Sequence, residues 1–139
     1  MANICEYKVI VKGKKNACYA FFGSMPWMDY KDIVEEKEDN GVWTVKFEGD
    51  CKWSVDCYCL DPWKGDTPVV LPEDPDEALS EAADKYYRQT VQERSEMFNV
   101  EVWCNSADIE DEDTRQVFEH YINGESVRVK RPAELRINY

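Results

Sequence analysis

With 139 residues, of which 43% are apolar, the chain is long enough for one hydrophobic core and too short for two independent ones. No stretch approaches the roughly 18 apolar residues of a membrane-spanning helix, and the first charges follow an apolar run instead of preceding it, unlike those of a secretory signal. A net charge of −12 excludes most nucleic-acid and anionic-lipid partners, because it repels phosphate, and favours a cationic protein as the partner.

The sequence predicts one cytoplasmic domain over residues 1–139, with a short tail at 131–139. Its negative charge is concentrated in three blocks, which sum to −4 over 29–40, −7 over 61–84 and −6 over 101–119. The two ends of the chain are positive. Because the acidic blocks fall largely in connecting segments, we predict that they form a binding surface, with ordinary solubility as the alternative explanation.

The first half of the chain predicts two β-hairpins and a short helix. Alternating apolar and charged residues in "CEYKVIVKG", followed by a turn at 13–16 and by "ACYAFF", predict the first hairpin. Sparse apolar residues in "GSMPWMDYKDIVEEKED" predict a short helix that ends before Asn40-Gly41. The stretch "VWTVKFEGDCKWSVDCYCL" predicts a second hairpin, with its turn at Gly49-Asp50.

The second half predicts a long helix and a third hairpin. Asp74 can cap a helix whose apolar stripe extends over about 75–98, with Glu77 as the capping-box acid. The segment "VEVWCN" predicts a strand, and "QVFEHYI" and "ESVRVK" predict a hairpin through Asn123-Gly124. The predicted fold is α+β, an antiparallel sheet built from β-hairpins with one long and one short helix packed on one face, a ferredoxin-like variant being one form of it.

The acidic stretch "CNSADIEDEDTR" invites comparison with a calcium-binding EF-hand loop. A loop starting at Asp108 would place Glu110, Glu112 and Glu119 at ligand positions 3, 5 and 12. Position 6, which needs glycine for a sharp turn, would be Asp113, and the preceding segment has the pattern of a strand. The sequence therefore favours a solvated acidic loop, and it predicts neither a metal nor a cofactor.

The cysteines offer a second metal hypothesis, a small zinc-binding module. Structural zinc sites usually pair two C-x₂₋₄-C knuckles, whereas this chain has one C-x-C motif inside a predicted strand. There the cysteines share a face with Trp53 and Val55, as small apolar core residues do. Core packing is favoured and zinc is the alternative. The residues available to a zinc ion would be Cys51, Cys57, Cys59 and either Cys104 or the only histidine, His120.

Catalysis by a cysteine is a further alternative, a mobile-element enzyme with Cys104 as nucleophile and His120 as base. The sequence contains no glycine-rich phosphate loop, no G-x-S-x-G and no H-E-x-x-H motif. Carboxylates are too numerous for any chosen pair to be informative, since a catalytic acid needs burial or a neighbour that shifts its pKa. We therefore predict a protein that is not an enzyme.

Three tryptophans are candidates for contact with a partner. Trp27 and Trp63 lie in irregular segments beside acidic blocks, and Trp103 has the strand parity opposite to Val102 and Cys104. A tryptophan surrounded by carboxylates suits an interaction hot spot, because it gives a large contact area at small entropic cost. The alternative is that these side chains cover the ends of the core.

The carboxylate-rich stretches "DYKDIVEEKED", "LPEDPDEALSEAAD" and "SADIEDED", without catalytic motifs, resemble those of acidic inhibitor proteins of phages and mobile elements, including many anti-CRISPR proteins. The stretches "NACYAFFGSM" and "EVWCNSAD" look like those of small proteins on such elements, and the order of strand, helix, strand and "EHYINGE" hairpin is similar to that of ferredoxin-like plasmid proteins.

This resemblance implies an inhibitor that occupies the basic nucleic-acid-binding surface of a nucleic-acid-processing protein, such as a CRISPR effector nuclease. Such surfaces are lined by lysine and arginine, and loop carboxylates can take the place of phosphates. The predicted partner-binding residues are Asp108, Glu110, Asp111, Glu112, Asp113, Glu73, Asp74, Asp76, Glu77, Trp63 and Trp103.

Overall fold

The computed structural model describes residues 4–52, 54–56, 62–108 and 116–137, which form an α+β fold around a six-stranded antiparallel sheet. The strands are β1 (Ile4–Gly13), β2 (Lys31–Asp39), β3 (Val42–Lys52), β4 (Glu101–Asp108), β5 (Val117–Ile122) and β6 (Glu125–Ser126). The helices are α1 (Lys15–Ser24), α2 (Pro75–Lys85) and α3 (Val91–Phe98), and a 3₁₀ turn spans Ala133–Leu135.

The sheet has the strand order β2-β3-β1-β4-β5-β6, and every pair of neighbouring strands is antiparallel. From β1 to β4 the elements follow the β-α-β-β-α-β order of a ferredoxin-like fold, with the second crossover divided between α2 and α3. Within the described ranges, none of these helices has the length and apolar character needed to cross a bilayer.

Strand β1 lies near the centre of the sheet and shows how the alternating pattern builds the core. Cys5, Tyr7, Val9 and Val11 are all buried on the face covered by α1, α2 and α3. The intervening side chains lie on the other face, which these three helices do not cover and which we call the open face. Because successive strand residues point to opposite faces, the alternation in the sequence predicted this strand correctly.

Helix α1 replaces the second strand of the predicted first hairpin. "ACYAFF" lies inside α1, where Ala17, Cys18, Ala20 and Phe21 are buried at the spacing of one helical stripe. A short apolar run fits the two-residue period of a strand as well as the 3.6-residue period of a helix. Here the segment is helical because it connects β1 to β2 at the edge of the sheet. The first hairpin prediction was therefore wrong.

The predicted short helix is instead edge strand β2, which pairs with β3 through a turn at Asn40 and Gly41. Both turn residues have positive φ angles, 52° and 82°, as a type I′ turn requires. Gly49, the predicted turn residue, lies within β3, where an added Cβ would collide with the phenol of Tyr7. Asp50 is buried, and its carboxylate accepts the backbone N–H of Asp29 at 2.8 Å.

The predicted long helix is divided into α2 and α3. Asp74 caps α2 as expected, accepting the backbone N–H of Glu77 at 3.1 Å. The capping box lies at the second helix, where Thr90 accepts from the backbone of Glu93 and the Glu93 carboxylate accepts the Thr90 N–H. A second N-cap means that α3 is a separate helix with its own axis. The apolar residues of 75–98 therefore fit one continuous helical stripe only approximately.

The third hairpin turns at Asn123 and Gly124, with φ angles of 47° and 83°, as predicted, although β6 is only two residues long. The predicted tail segment lies across the open face of the sheet. Leu135 and Ile137 are buried there, and the Leu135 carbonyl accepts a hydrogen bond from Asn105 Nδ2 at 2.7 Å. This segment thus covers part of the face that the helices leave open.

Gly23 tests the packing of α1 against α2. Its backbone lies so close to Leu79 that an added Cβ would collide with the Leu79 carbonyl group. Gly23→Ala should therefore destabilise the protein by about 1–3 kcal/mol, because two backbones must separate, although alanine is the better helix former. Urea denaturation would measure this change, and an unchanged or higher midpoint would contradict the close approach.

Candidate functional site

A groove of about 500 Å³ lies between edge strand β2 and helix α2 on the helical side of the sheet. We call it the acidic groove. Its apolar surface comes from α1 and α2, and its carboxylates come from the start of β2 and the segment before it. Its lining includes Phe22, Trp27, Asp29, Lys31, Asp32 and Leu79.

Two acidic blocks that are distant in the sequence both act on Tyr19 of α1, a residue that does not line this groove. The Tyr19 hydroxyl donates a hydrogen bond to Glu36 of β2 at 2.6 Å. This bond is the main reason that the pKa of Tyr19 is raised to about 12, and the negative charge of Asp76 in α2 adds to it. The Tyr19 hydroxyl thus connects α1 to the acidic edge strand β2, and the negative charge of Asp76 in α2 acts on the same hydroxyl.

Trp27 is the most exposed aromatic residue of this surface. This residue is 61% exposed at the groove, between the end of α1 and the start of β2. The backbone of the neighbouring segment is fixed, since Met28, Asp29 and Tyr30 all donate their N–H groups to the buried carboxylate of Asp50. An exposed indole on a fixed backbone is a favourable contact for a partner, because little entropy is lost on binding.

Lys31 is a base within the acidic groove, and its charge is directed inward. Its Nζ donates to the carbonyls of Gly23 at 3.2 Å and Met25 at 3.1 Å, and it lies 4.8 Å from the centre of the Phe22 ring. Burial, and secondarily the positive charge of Arg94, lower the pKa of Lys31 to about 8. Lys31 thus satisfies the end of helix α1 and leaves the exposed carboxylates of the groove for other cations.

The predicted carboxylates divide between two regions. Those at the start of α2 are exposed near Asn16, whose side chain donates to the Pro72 carbonyl at 2.8 Å. Asp108 lies beside Cys5, at the opposite end of β1, and is partly buried. Because β3 and β1 separate its strand β4 from edge strand β2, Asp108 does not line the acidic groove. The predicted carboxylates at and just before the start of α2 are Glu73, Asp74, Asp76 and Glu77, and none of them lines the acidic groove. The predicted residues Glu110, Asp111, Glu112 and Asp113 lie outside the described residues.

Neither of the two other predicted tryptophans lines the acidic groove. Trp63 packs edge-on against Tyr86, with ring centres 5.6 Å apart, and its backbone N–H donates to Glu93 at 2.6 Å. It covers one end of the core, the alternative that the sequence left open. Trp103 lies on the open face and stacks on His120, with 4.7 Å between ring centres and 13° between planes.

Cys104 and His120 lie on opposite faces of the sheet and do not form a catalytic pair. Cys104 is buried beneath the helices, and burial raises the pKa of its thiol well above the ordinary value. His120 is directly opposite Trp103, on the open face, with Nε2 at 2.9 Å from Glu101. The sequence predicted that both residues lie on strands, but it did not predict the face of the sheet on which each of them lies.

The zinc hypothesis involves Cys57 and Cys59, which lie outside the described residues. In the part of the chain that the structure describes, no group of three or more His, Cys, Asp or Glu side chains is arranged to hold a metal ion. Cys51 and Cys104 are both buried in the core, as their parity with apolar residues predicted.

Glu119 of β5 has a shifted pKa, and it lies on the helical side of the sheet across from Cys104. Burial, and secondarily the charge of Asp56, raise the pKa of Glu119 to about 7. The hydroxyl of Tyr121 donates to its Oε1 at 2.9 Å. Glu119 therefore changes its charge near neutral pH.

No protein-family model matches the chain, and no curated protein or solved structure matches it significantly. The resemblance to acidic inhibitors therefore stays a prediction from the sequence. A function for this chain has to be inferred from its own side chains, and the acidic groove with Trp27 is the surface whose chemistry indicates a type of partner.

Proposed function

We propose that this protein is a non-enzymatic binding protein of the cytoplasm that docks its acidic groove on a basic surface of a nucleic-acid-binding protein. The observation that carries this proposal is the exposed Trp27, which lines the acidic groove together with Asp29 and Asp32. Binding would block the partner's nucleic-acid site, and a CRISPR effector nuclease is the kind of target that the sequence resemblance implies.

The charge distribution supports a cationic partner. With a net charge of −12, the protein attracts basic surfaces over long range, which raises the rate of encounter. Asp32 and Glu36 are exposed on edge strand β2, and Asp76 is exposed on α2, so carboxylates from two elements can contact lysine or arginine side chains together. Duplex DNA presents about one negative charge per 1.7 Å of its axis, and a partner site built for it would accept such a surface.

Apolar contact supports the same proposal. Charged residues at the rim of an interface mainly steer association, whereas buried aromatic anchors supply much of the affinity. Trp27, Phe22 and Leu79 line the same groove as Asp29 and Asp32, so the groove presents both apolar and acidic side chains to a partner. A partner with an apolar or arginine side chain among its basic residues would match this arrangement.

Reversing the groove charges should abolish partner binding. The immobilised protein would first retain its partners from a bacterial lysate, and the retained proteins would be identified and purified. We expect cationic nucleic-acid-binding proteins that duplex DNA displaces. The double variant Asp29→Lys with Asp32→Lys should weaken their binding by roughly a hundredfold, because attraction is replaced by repulsion, and Trp27→Ala should weaken it about thirtyfold.

A matched control has the same change of net charge at another surface. Asp66→Lys with Glu125→Lys reverses two exposed carboxylates that do not line the acidic groove. This variant should bind the partner nearly as well as the wild type, with only a slower association at low salt. Equal loss in both double variants would indicate a nonspecific charge effect, and retention of binding by the groove variant would refute the proposal.

A further inference from the structure

A second and larger groove, of about 670 Å³, lies on the open face of the sheet. We call it the sheet-face groove. Its floor contains Ile10 of β1 and Trp103 of β4, which are directly opposite each other in the sheet. Its walls are the end of the β2–β3 hairpin and the segment at Pro132. The volume falls in the range of small-molecule binding sites.

Trp103 gives this groove a rigid aromatic floor. Its ring stacks on His120, and His120 is itself held by Glu101 through the 2.9 Å contact at Nε2. Trp103 borders the groove whereas His120 does not, so the stack supports the indole from outside the groove. With Ile10 beside it, the indole forms a flat apolar surface that suits a planar ring.

Two lysines project from the neighbouring row of the same face. Lys12 of β1 and Lys37 of β2 are both opposite Thr44 of β3, and both line the groove. Lys12 is two residues from Ile10, or roughly 7 Å along the strand. Within the described part of the chain, neither lysine has a carboxylate within 4.0 Å, although both are exposed in a strongly acidic protein.

Two carboxylates, Asp39 and Glu134, also line this groove, and Glu101 is opposite Lys12 in the sheet. Glu134 is already paired with Lys46, at 3.8 Å. Asp39 and Asn40 lie at the end of the hairpin. Their carboxylate and amide groups can form hydrogen bonds with the hydroxyl groups of a ligand or with polar atoms at the edge of its ring. The negative charge of the whole protein repels long nucleic acids, but a single phosphate beside two lysines interacts within the Debye length of about 8 Å.

We propose that the sheet-face groove binds a nucleoside monophosphate. The base stacks on Trp103, the phosphate lies between Lys12 and Lys37, and Asp39 or Asn40 contacts the sugar. This site is on the face of the sheet opposite to the acidic groove, and it does not depend on the function proposed above.

Calorimetric titration with AMP, adenosine and inorganic phosphate tests this site on the intact protein. We expect AMP to bind more tightly than either fragment. Lys12→Met and Lys37→Met should each weaken AMP binding about tenfold and leave adenosine binding unchanged, because each removes one charge-assisted contact to phosphate. Trp103→Leu should weaken both AMP and adenosine.

Lys64→Met is the matched control, since it removes one exposed lysine remote from the groove in a connecting segment, and it should bind AMP like the wild type. Both groove lysines are exposed, so their variants should keep the wild-type unfolding temperature. No heat of binding at millimolar AMP would overturn the proposal. So would equal AMP affinity in the wild type, Lys12→Met and Lys37→Met.

Discussion

Replacing Arg94 with alanine is expected to lower the free energy of unfolding by about 3–5 kcal/mol, well beyond the effect of a typical surface substitution. Arg94 of α3 is completely buried, and its Nη2 donates to the carbonyls of Ser24 at 3.0 Å and Tyr87 at 3.1 Å. Ser24 is the last residue of α1, and Tyr87 lies just after the end of α2. Without the guanidinium they would lose charge-assisted hydrogen bonds, and a cavity would remain among three helices.

Chemical denaturation with Arg88→Ala as the control measures this effect. Arg88 is exposed, and its Nε donates to the hydroxyl of Tyr87 at 3.1 Å, so its removal should change stability by less than about 1 kcal/mol. Arg94→Lys should recover only part of the loss, because an ammonium group on a single stem does not reproduce the planar fork of arginine. Equal midpoints for Arg94→Ala and Arg88→Ala would contradict the assigned role.

Arg94 also links the helical packing to the acidic groove. Its positive charge is the second cause, after burial, of the lowered pKa of Lys31. Lys31 in turn holds the carbonyls of Gly23 and Met25 at the end of α1, directly before Trp27. Arg94 and Lys31 therefore both hold the end of α1, from which the chain continues to Trp27, and no pattern in the sequence relates these two residues.

The sequence predicted strands correctly where one face is buried and the other is not. β1 and β4 alternate because the helices cover only one side, and the parity of Trp103 against Cys104 placed these two residues on opposite faces. β2 was assigned as a helix because an edge strand has few buried residues, with only Ile33 contributing to the core among many charges. β2 forms a strand because it pairs with β3, and this pairing depends on the tertiary structure and not on the local sequence of β2.

The location of the acidic groove could be predicted only in part. The sequence shows the charge blocks at 29–40 and 61–84, and it places Trp27 beside the first of them. The action of both blocks on Tyr19 requires β2 at the edge of the sheet and α2 against α1, and the sequence predicted neither position. Asn40-Gly41 and Gly49-Asp50 are both sequence signals for a turn. Only the first pair forms one, because Gly49 lies within β3 and faces Tyr7 across the sheet.

Glu119 is expected to make the protein less stable as the pH rises from about 4.5 to 7. In the unfolded chain its carboxyl loses its proton near 4.5, whereas in the folded protein burial and the charge of Asp56 raise the pKa to about 7. Between these values the folded state binds more protons, so the free energy of unfolding falls as the pH rises. Below pH 4.5 both states are protonated, and above pH 7 the loss is complete.

Glu119→Gln should remove this loss, because glutamine stays neutral and keeps an oxygen that can accept from Tyr121. At 1.36 kcal/mol for each pKa unit, the variant should exceed the wild type by about 3 kcal/mol at pH 8 and match it near pH 4.5. Urea denaturation at a series of pH values measures the difference. Glu125→Gln, at an exposed position on β6, should follow the wild-type profile throughout. If Glu119→Gln instead stays parallel to the wild type from pH 4.5 to 8, Glu119 is not the carboxyl that burial and Asp56 keep protonated in the folded protein.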